Sequence, residues 1–168
     1  MKTKLLLLVL ALFMANTYAQ EFVKGSIITT HYDTIANVQI KKMNDAKSTL
    51  HLTYIDKEGL EQKPVISTIK CYTRGEEIFC RVYQAGEMIM VKQVEKGKKI
   101  NLYKRVSNGI DIYYVEKVYD EIIKVPVSKN KFKNVLSDYL SSVPEISAKI
   151  KSKELSDIHE IIKLYNES

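Results

Sequence analysis

The sequence predicts an α+β protein: an antiparallel β-sheet, open and barrel-like, followed by a small helical tail packed on it. Three observations carry this expectation. From about residue 22 to residue 127, short runs rich in Val, Ile, Thr and Tyr alternate with turn signals, at the roughly 8–12-residue spacing of all-β chains. After Pro126 the apolar period changes from two to about 3.6. The chain has 168 residues, 45% apolar and 27% charged, with 6 Gly, 3 Pro and 2 Cys, a composition of one ordinary globular domain and not of a disordered, collagen-like or disulfide-dense chain. The expected organisation is a signal peptide at 1–19, a β domain at 20–127 and a helical region at 128–168 in the same folding unit.

The first element is an export signal. Lys2 and Lys4 precede an unbroken apolar run at 5–15, and the small residues Thr17 and Ala19 stand at the −3 and −1 positions of a cleavage site before Gln20. The run is too short for a membrane anchor, which needs about 20 apolar residues. The expected mature chain has no membrane span and lies in the periplasm or outside the cell. Loss of Lys2 and Lys4 lowers the net charge from +6 to +4, a value that serves solubility. Lysines alternate with acids along the chain, clustering only at Lys96, Lys98 and Lys99 around Gly97, so nucleic acid is not an expected partner.

Strands are expected at 22–30, 34–43, 48–56, 63–73, 77–84, 87–95, 98–106, 110–119 and 121–125. The turns between them fall at 31–33, Asn44-Asp45, 57–59, Gly75-Glu76, Ala85-Gly86, Lys96-Gly97 and 107–109. Asn108-Gly109 is the strongest hairpin signal, because both residues tolerate positive φ. Gly75-Glu76 suits a type II′ turn, whose first position needs positive φ. Folding there sets Arg74 against Glu77, Thr73 against Ile78, Tyr72 against Phe79 and Cys71 against Cys80. The same register puts Val65, Ile69, Cys71, Ile78, Cys80 and Val82 on one face. An even cysteine count in an exported chain suggests pairing, so Cys71 and Cys80 are expected to form a disulfide across a non-hydrogen-bonded pair, with Cα atoms about 4.5 Å apart.

In the tail, Ser128 is placed to cap a helix whose Phe132, Val135, Leu136, Tyr139, Leu140 and Val143 form one apolar stripe. Ser142, Val143, Pro144 and Glu145 read as a capping box that starts a second helix carrying Ile146 and Ile150. A last helix carries Leu155, Ile158, Ile161, Ile162 and Tyr165 and ends near Asn166. All three are expected to pack on one face of the sheet.

The chain offers little for catalysis. Both cysteines are expected to be bonded, and His31, His51 and His159 sit in a turn, on a strand face opposite Leu50 and Leu52, and off the apolar helix stripe. No zinc-protease, nucleophile-elbow or phosphate-loop motif occurs, and no metal or cofactor is expected. A carboxylate pair remains as an alternative. Its best candidates, Asp111 and Glu116, are flanked by aromatic strand residues, but an odd spacing sends them to opposite faces, and alternation points both outward. The expected role is non-catalytic binding of a protein, envelope component or other surface, with Tyr103, Tyr113, Tyr114 and Tyr119 as the possible binding surface. The alternatives are a carboxylate-dependent hydrolase and a carrier of a small apolar ligand inside a β-barrel.

Three stretches carry a resemblance: the opening FVKGSIITTHYDTIANVQI, the strand GKKINLYKR, and the tail KFKNVLSDYL followed by IIKLYNES. They resemble an uncharacterised family of small exported proteins of Gram-negative bacteria. Its members begin with a G-x-I-x-T…D-T-I hairpin, carry a G-x-I-x-L-Y strand and end in a helical tail closing on L-Y-N. The resemblance implies export and this architecture and adds no catalytic residue. Tyr32 departs from the pattern, which has a small residue before D-T. Asp33 and Thr34 read as an Asx-type turn that starts the second strand.

Overall fold

The computed structural model describes residues 21–118 and 120–168. The segment behind the export reading and Tyr119 lie outside the described residues. The elements run β1 (Phe22–Thr29), β2 (Thr34–Lys41), α1 (Asp45–Ser48), β3 (Tyr54–Ile55), β4 (Glu61–Gln62), a single 3₁₀ turn (Ile66–Thr68), β5 (Ile69–Arg74), β6 (Glu77–Gln84), β7 (Glu87–Glu95), β8 (Ile100–Ser107), β9 (Ile110–Lys117), β10 (Ile123–Lys124), α2 (Lys129–Tyr139), α3 (Pro144–Ser152) and α4 (Ile158–Glu167). The ten strands form one antiparallel sheet in the order β10-β9-β8-β7-β6-β5-β1-β2-β3-β4. Its outer strands, β10 and β4, do not meet, so the sheet is not closed into a barrel. The helices of the tail follow it, giving the α+β class.

Turn chemistry explains the central meander. Gly75 (φ +61°) turns β5 into β6, Ala85 and Gly86 (φ +51° and +89°) turn β6 into β7, and Asn108 and Gly109 (+52° and +75°) turn β8 into β9. The β5–β6 register pairs Cys71 with Cys80, Tyr72 with Phe79, Thr73 with Ile78 and Arg74 with Glu77, as the spacing predicts. The two cysteines form a disulfide with Cα atoms 4.1 Å apart. Among the described residues no helix is long and apolar enough to cross a membrane.

Several local expectations are corrected. Of the strand expected at 48–56 only Tyr54–Ile55 forms, and Ser48 instead ends α1, where the Asn44 side chain accepts the Lys47 N–H at 2.9 Å. The strand expected at 63–73 begins only at Ile69, after the 3₁₀ turn. A β-bulge at Lys70 lets Thr29 pair with Ile69 while Ile28 pairs with Cys71. Because a bulge shifts alternation by one residue, Ile69 turns to the face opposite the cysteines and joins Tyr72, and Val65 is exposed. In the first hairpin the Thr29 hydroxyl, and not the Asp33 carboxylate, closes the turn by accepting the Asp33 N–H at 3.2 Å. Ser142 is no capping-box residue. Val143 precedes α3 with Pro144 in its first turn, and the Ser142 hydroxyl bonds the Tyr165 hydroxyl at 2.7 Å. Ser128 occupies the N-cap of α2 without a side-chain bond, and Val135 is exposed at the edge of the expected stripe.

The core has three parts on two faces. On one face, α2, α3 and α4 cover β8 and β9, burying Leu136, Leu140, Ile146, Ile150, Ile161 and Ile162 against Ile100, Leu102 and Val115. Further along that face, the excursion between β2 and β5 lays Leu52 and Ile66 over Ile27, Ile40, Tyr72, Phe79 and Met90, with Tyr72 and Phe79 stacked at 4.7 Å. The other face carries Val82, Ile89, Val91, Tyr103 and Tyr114. Residues of β6 and β9 meet there although two strands separate them, because the sheet bends with this face inside.

Candidate functional site

The inner face of the bend opens to solvent as a trough of about 470 Å³. Its floor is the Cys71–Cys80 disulfide with Val82 and, from the β9–β10 side, Ile122. Lys70, Glu116 and Glu121 bring charge to its walls. Tyr32 tops the β1–β2 turn at the rim, 71% exposed. Arg81 and Tyr83 border the opening from β6, but alternation turns their side chains to the opposite face, with their partners Met90 and Met88.

Local chain geometry positions these groups. The bulge at Lys70 frees its side chain from the ladder, and its ammonium sits 3.9 Å from the Tyr32 ring centroid. Hydrogen bonding to Lys70, and then its charge, lower the Tyr32 pKa. Tyr32 holds φ +66°, a left-handed conformation that costs a bulky residue free energy. Arg81 is tethered through Nη1 to the Ser67 carbonyl at 2.6 Å.

Glu116 belongs to a polar triad with Tyr103 and Asn101. The Tyr103 hydroxyl donates to its Oε2 at 2.5 Å and Asn101 Nδ2 donates at 3.1 Å. Burial, reinforced by the Glu116 carboxylate, raises the Tyr103 pKa. Further along the bend the Tyr114 hydroxyl bonds Gln84. Burial raises the Tyr114 pKa while neighbouring Arg105 acts in the opposite direction. Among the described residues, the Arg105 Nε is buried without a hydrogen-bond partner.

The four tyrosines singled out in the sequence therefore do not form one surface. Tyr103 and Tyr114 are buried on the inner face. Tyr113 is on the opposite face, packed against the helical core with its ring edge-on to His159 at 5.4 Å, and Tyr119 lies outside the described residues. Asp111 and Glu116 do fall on opposite faces. Asp111 pairs with Lys104 at 3.1 Å, whereas Glu116, expected to point outward, faces the trough. His31 and His51 are exposed. His159 Nδ1 contacts Glu95, and its Nε2 lies 3.4 Å from the Tyr113 hydroxyl. Among the described residues no group of three or more His, Cys, Asp or Glu could hold a metal ion.

Sequence reasoning missed Tyr32 and Lys70. Tyr32 had a signal, its departure from the small residue before D-T. Lys70 had none, since its approach to Tyr32 depends on a bulge. A second groove, of about 690 Å³, is lined by Lys41, Lys42, Lys47, His51 and Lys63, but Lys41 and Lys63 are neutralised by Glu21 and Glu61 at 2.6 and 2.8 Å. Compared with protein-family models, curated proteins and solved structures, the chain matches none.

Proposed function

We propose that this chain is an exported, non-catalytic binding protein that engages an envelope or extracellular component, and that the trough beside the disulfide is its binding face. The observation that carries the reading is the trough's lining: the exposed Tyr32 ring held beside Lys70, with Glu116 and Glu121 on the side of β9 and β10. Ligand sites combine these features, a concave surface with a few convergent polar groups. Export is supported by the basic, apolar and small-residue signature of the first 19 residues and by a disulfide, which persists in oxidising compartments. The resemblance to a family of exported proteins points the same way. A non-catalytic role is supported by the engagement of both candidate carboxylates, Glu116 by Tyr103 and Asn101 and Asp111 by Lys104. The carrier reading loses support because the sheet is open and the trough is not enclosed.

Crosslinking and pull-down from the native envelope test the proposal, with wild type and Tyr32→Ala compared side by side. The mature protein is expected to begin at Gln20, to lack free thiols, and to retain an envelope component that the variant loses. Equal capture by both proteins overturns the binding face, and a turnover activity abolished by Glu116→Gln overturns the non-catalytic reading.

A further inference from the structure

We infer that the helical tail carries a second binding site, for a small amphiphilic anion of the fatty-acid class: an apolar chain ending in one negative head group. The site shares no residue with the trough and stands or falls independently of it.

The site is a hollow of about 450 Å³ between the start of α2 and the end of α3, within the roughly 300–1,000 Å³ of ligand sites. Ile150 and Leu155 close its floor from the core, and Val127 and Phe132 stand in its walls. Val127 precedes the N-cap Ser128, and Phe132 is the fourth residue of α2. Side chains at these two positions ordinarily pack on each other at a helix start. Here Val127 is 73% exposed and Phe132 only half-buried. The pair therefore leaves apolar surface open to the hollow.

Charge is the second observation. Lys129, Lys133 and Lys153 line the same hollow, and no acid does. Among the described residues none of the three forms a salt bridge. The acids that follow Lys153 in the chain are engaged elsewhere: Glu154 accepts from the Ser152 hydroxyl and Asp157 accepts the Glu160 N–H, both at 2.9 Å. Each lysine costs the fold something. Lys129 stands in the first turn of α2, where the helix dipole disfavours a cation. Lys133, four residues on, repels it along the same helix face. Lys153 ends α3 at φ +69°, a left-handed position that favours glycine.

One ligand chemistry uses both features. A purely apolar molecule would leave three cations without a counter-charge, and an inorganic anion would make no use of Val127 and Phe132. An acyl chain with a terminal carboxylate matches both, since lysine stems line apolar surface while their ammonium groups stay at the rim. The concave shape selects a single molecule over a membrane. Ile150 and Leu155, at the bottom, are 1% and 5% exposed and out of reach of a flat bilayer surface.

The test titrates the full secreted protein by calorimetry with decanoate, decanol and decyltrimethylammonium, which share a chain and differ in head group. One decanoate per protein is expected to bind at millimolar concentration or below, more weakly as salt is raised. Decanol should bind about tenfold more weakly, and the cationic amphiphile should not bind. Lys153→Gly should weaken decanoate by about threefold, the loss of one exposed ion pair, while melting at a higher temperature because glycine relieves the left-handed turn. Val127→Ser, at an exposed position outside the core, should weaken it by about threefold as well. Decanol binding as tightly as decanoate overturns the inference, as does Lys153→Gly binding like wild type or no decanoate bound at millimolar concentration. Adsorption to phosphatidylglycerol vesicles without binding of monomeric decanoate overturns it in favour of a membrane surface.

Discussion

Arg74 anchors the excursion between β2 and β5 to the sheet. Its buried side chain donates from Nε to Glu77 at 2.7 Å and from Nη1 to the Met43 carbonyl and the Ser48 hydroxyl at 3.0 and 2.9 Å. Its guanidinium also lies over the Phe79 ring. Glu77 takes a second cation, Lys92, at 2.6 Å. Burial alone would raise the Glu77 pKa, but Lys92 and Arg74 outweigh it and hold the pKa below the ordinary carboxylate value. A group depressed on folding stabilises the native state above its unfolded pKa, about 4.3 for Glu, and that stabilisation is lost as pH falls through the folded value. Glu77→Gln should therefore be less stable than wild type at neutral pH and should lose less stability on acidification below about pH 4. Urea midpoints measured across pH check this, and parallel acid limbs for the two proteins would refute it. The facing of Arg74 and Glu77 was legible from the turn at Gly75. The bonds to Met43 and Ser48 were not, since they depend on where a distant segment lands.

At the scale of elements, legibility followed the strength of local turn and stripe chemistry. The strands β6 and β7, the start of β9 and the α4 stripe from Ile158 on read correctly because Gly75, Ala85-Gly86, Asn108-Gly109 and the 3.6-residue period each specify one structure, whereas Leu155, expected in the last helix, precedes it and β9 ends at Lys117. The stretch around Leu50, Leu52 and Tyr54 alternates like a strand but is used as a covering segment, with Leu52 pressed on the Tyr72–Phe79 stack. Tertiary burial overrode the pattern there. The trough escaped detection for a related reason: a strand-by-strand reading contains neither the Lys70 bulge nor the bend. Leu136, fully buried between the tail and β8–β9, gives the measure of how firmly the tail is attached. Leu136→Ala should cost roughly 2–5 kcal/mol in denaturant unfolding; a change below about 1 kcal/mol would show that the helical stripe carries little core energy. Replacing Cys71 and Cys80 by alanine should cost on the order of 2–3 kcal/mol, because the disulfide closes a short loop, and thermal melts of oxidised and substituted protein check that.

At the scale of the whole molecule, the far end of the chain is fastened to the sheet by one amide. Asn166 Oδ1 accepts the Lys99 and Ile100 N–H groups at 2.9 and 3.1 Å, and its Nδ2 donates to the Ile100 and Ile162 carbonyls at 3.1 and 3.0 Å. Gly97 makes room for it: a Cβ there would lie 2.1 Å from the Asn166 amide. The L-Y-N ending and the GKKINLY stretch, which has one lysine more than the G-x-I-x-L-Y pattern it resembles, are read apart in the sequence and are thus two halves of one contact. Asn166→Ala removes all four bonds and should lower stability by about 2 kcal/mol. Equilibrium unfolding measures the loss, and a variant as stable as wild type would mean that the clasp is decorative.

The strand order itself has a consequence for how the chain reaches this state. Every neighbouring pair in the sheet is consecutive in the chain except β5 and β1. Hairpins zip by closing short loops. Bringing Ile28 to Cys71 encloses the whole β2–β4 excursion, and the entropy lost in closing a loop grows with its length. The seam between β1 and β5 is thus the sheet's one non-local stitch, and the half of the core containing Ile27, Ile40 and Tyr72 depends on it. The meander from β5 to β10 can assemble on its own schedule, and the opening hairpin must wait for β5 to exist before it has anywhere to dock. A chain delivered amino-terminus first would therefore carry one edge of β1 unpaired until nearly half its length had arrived.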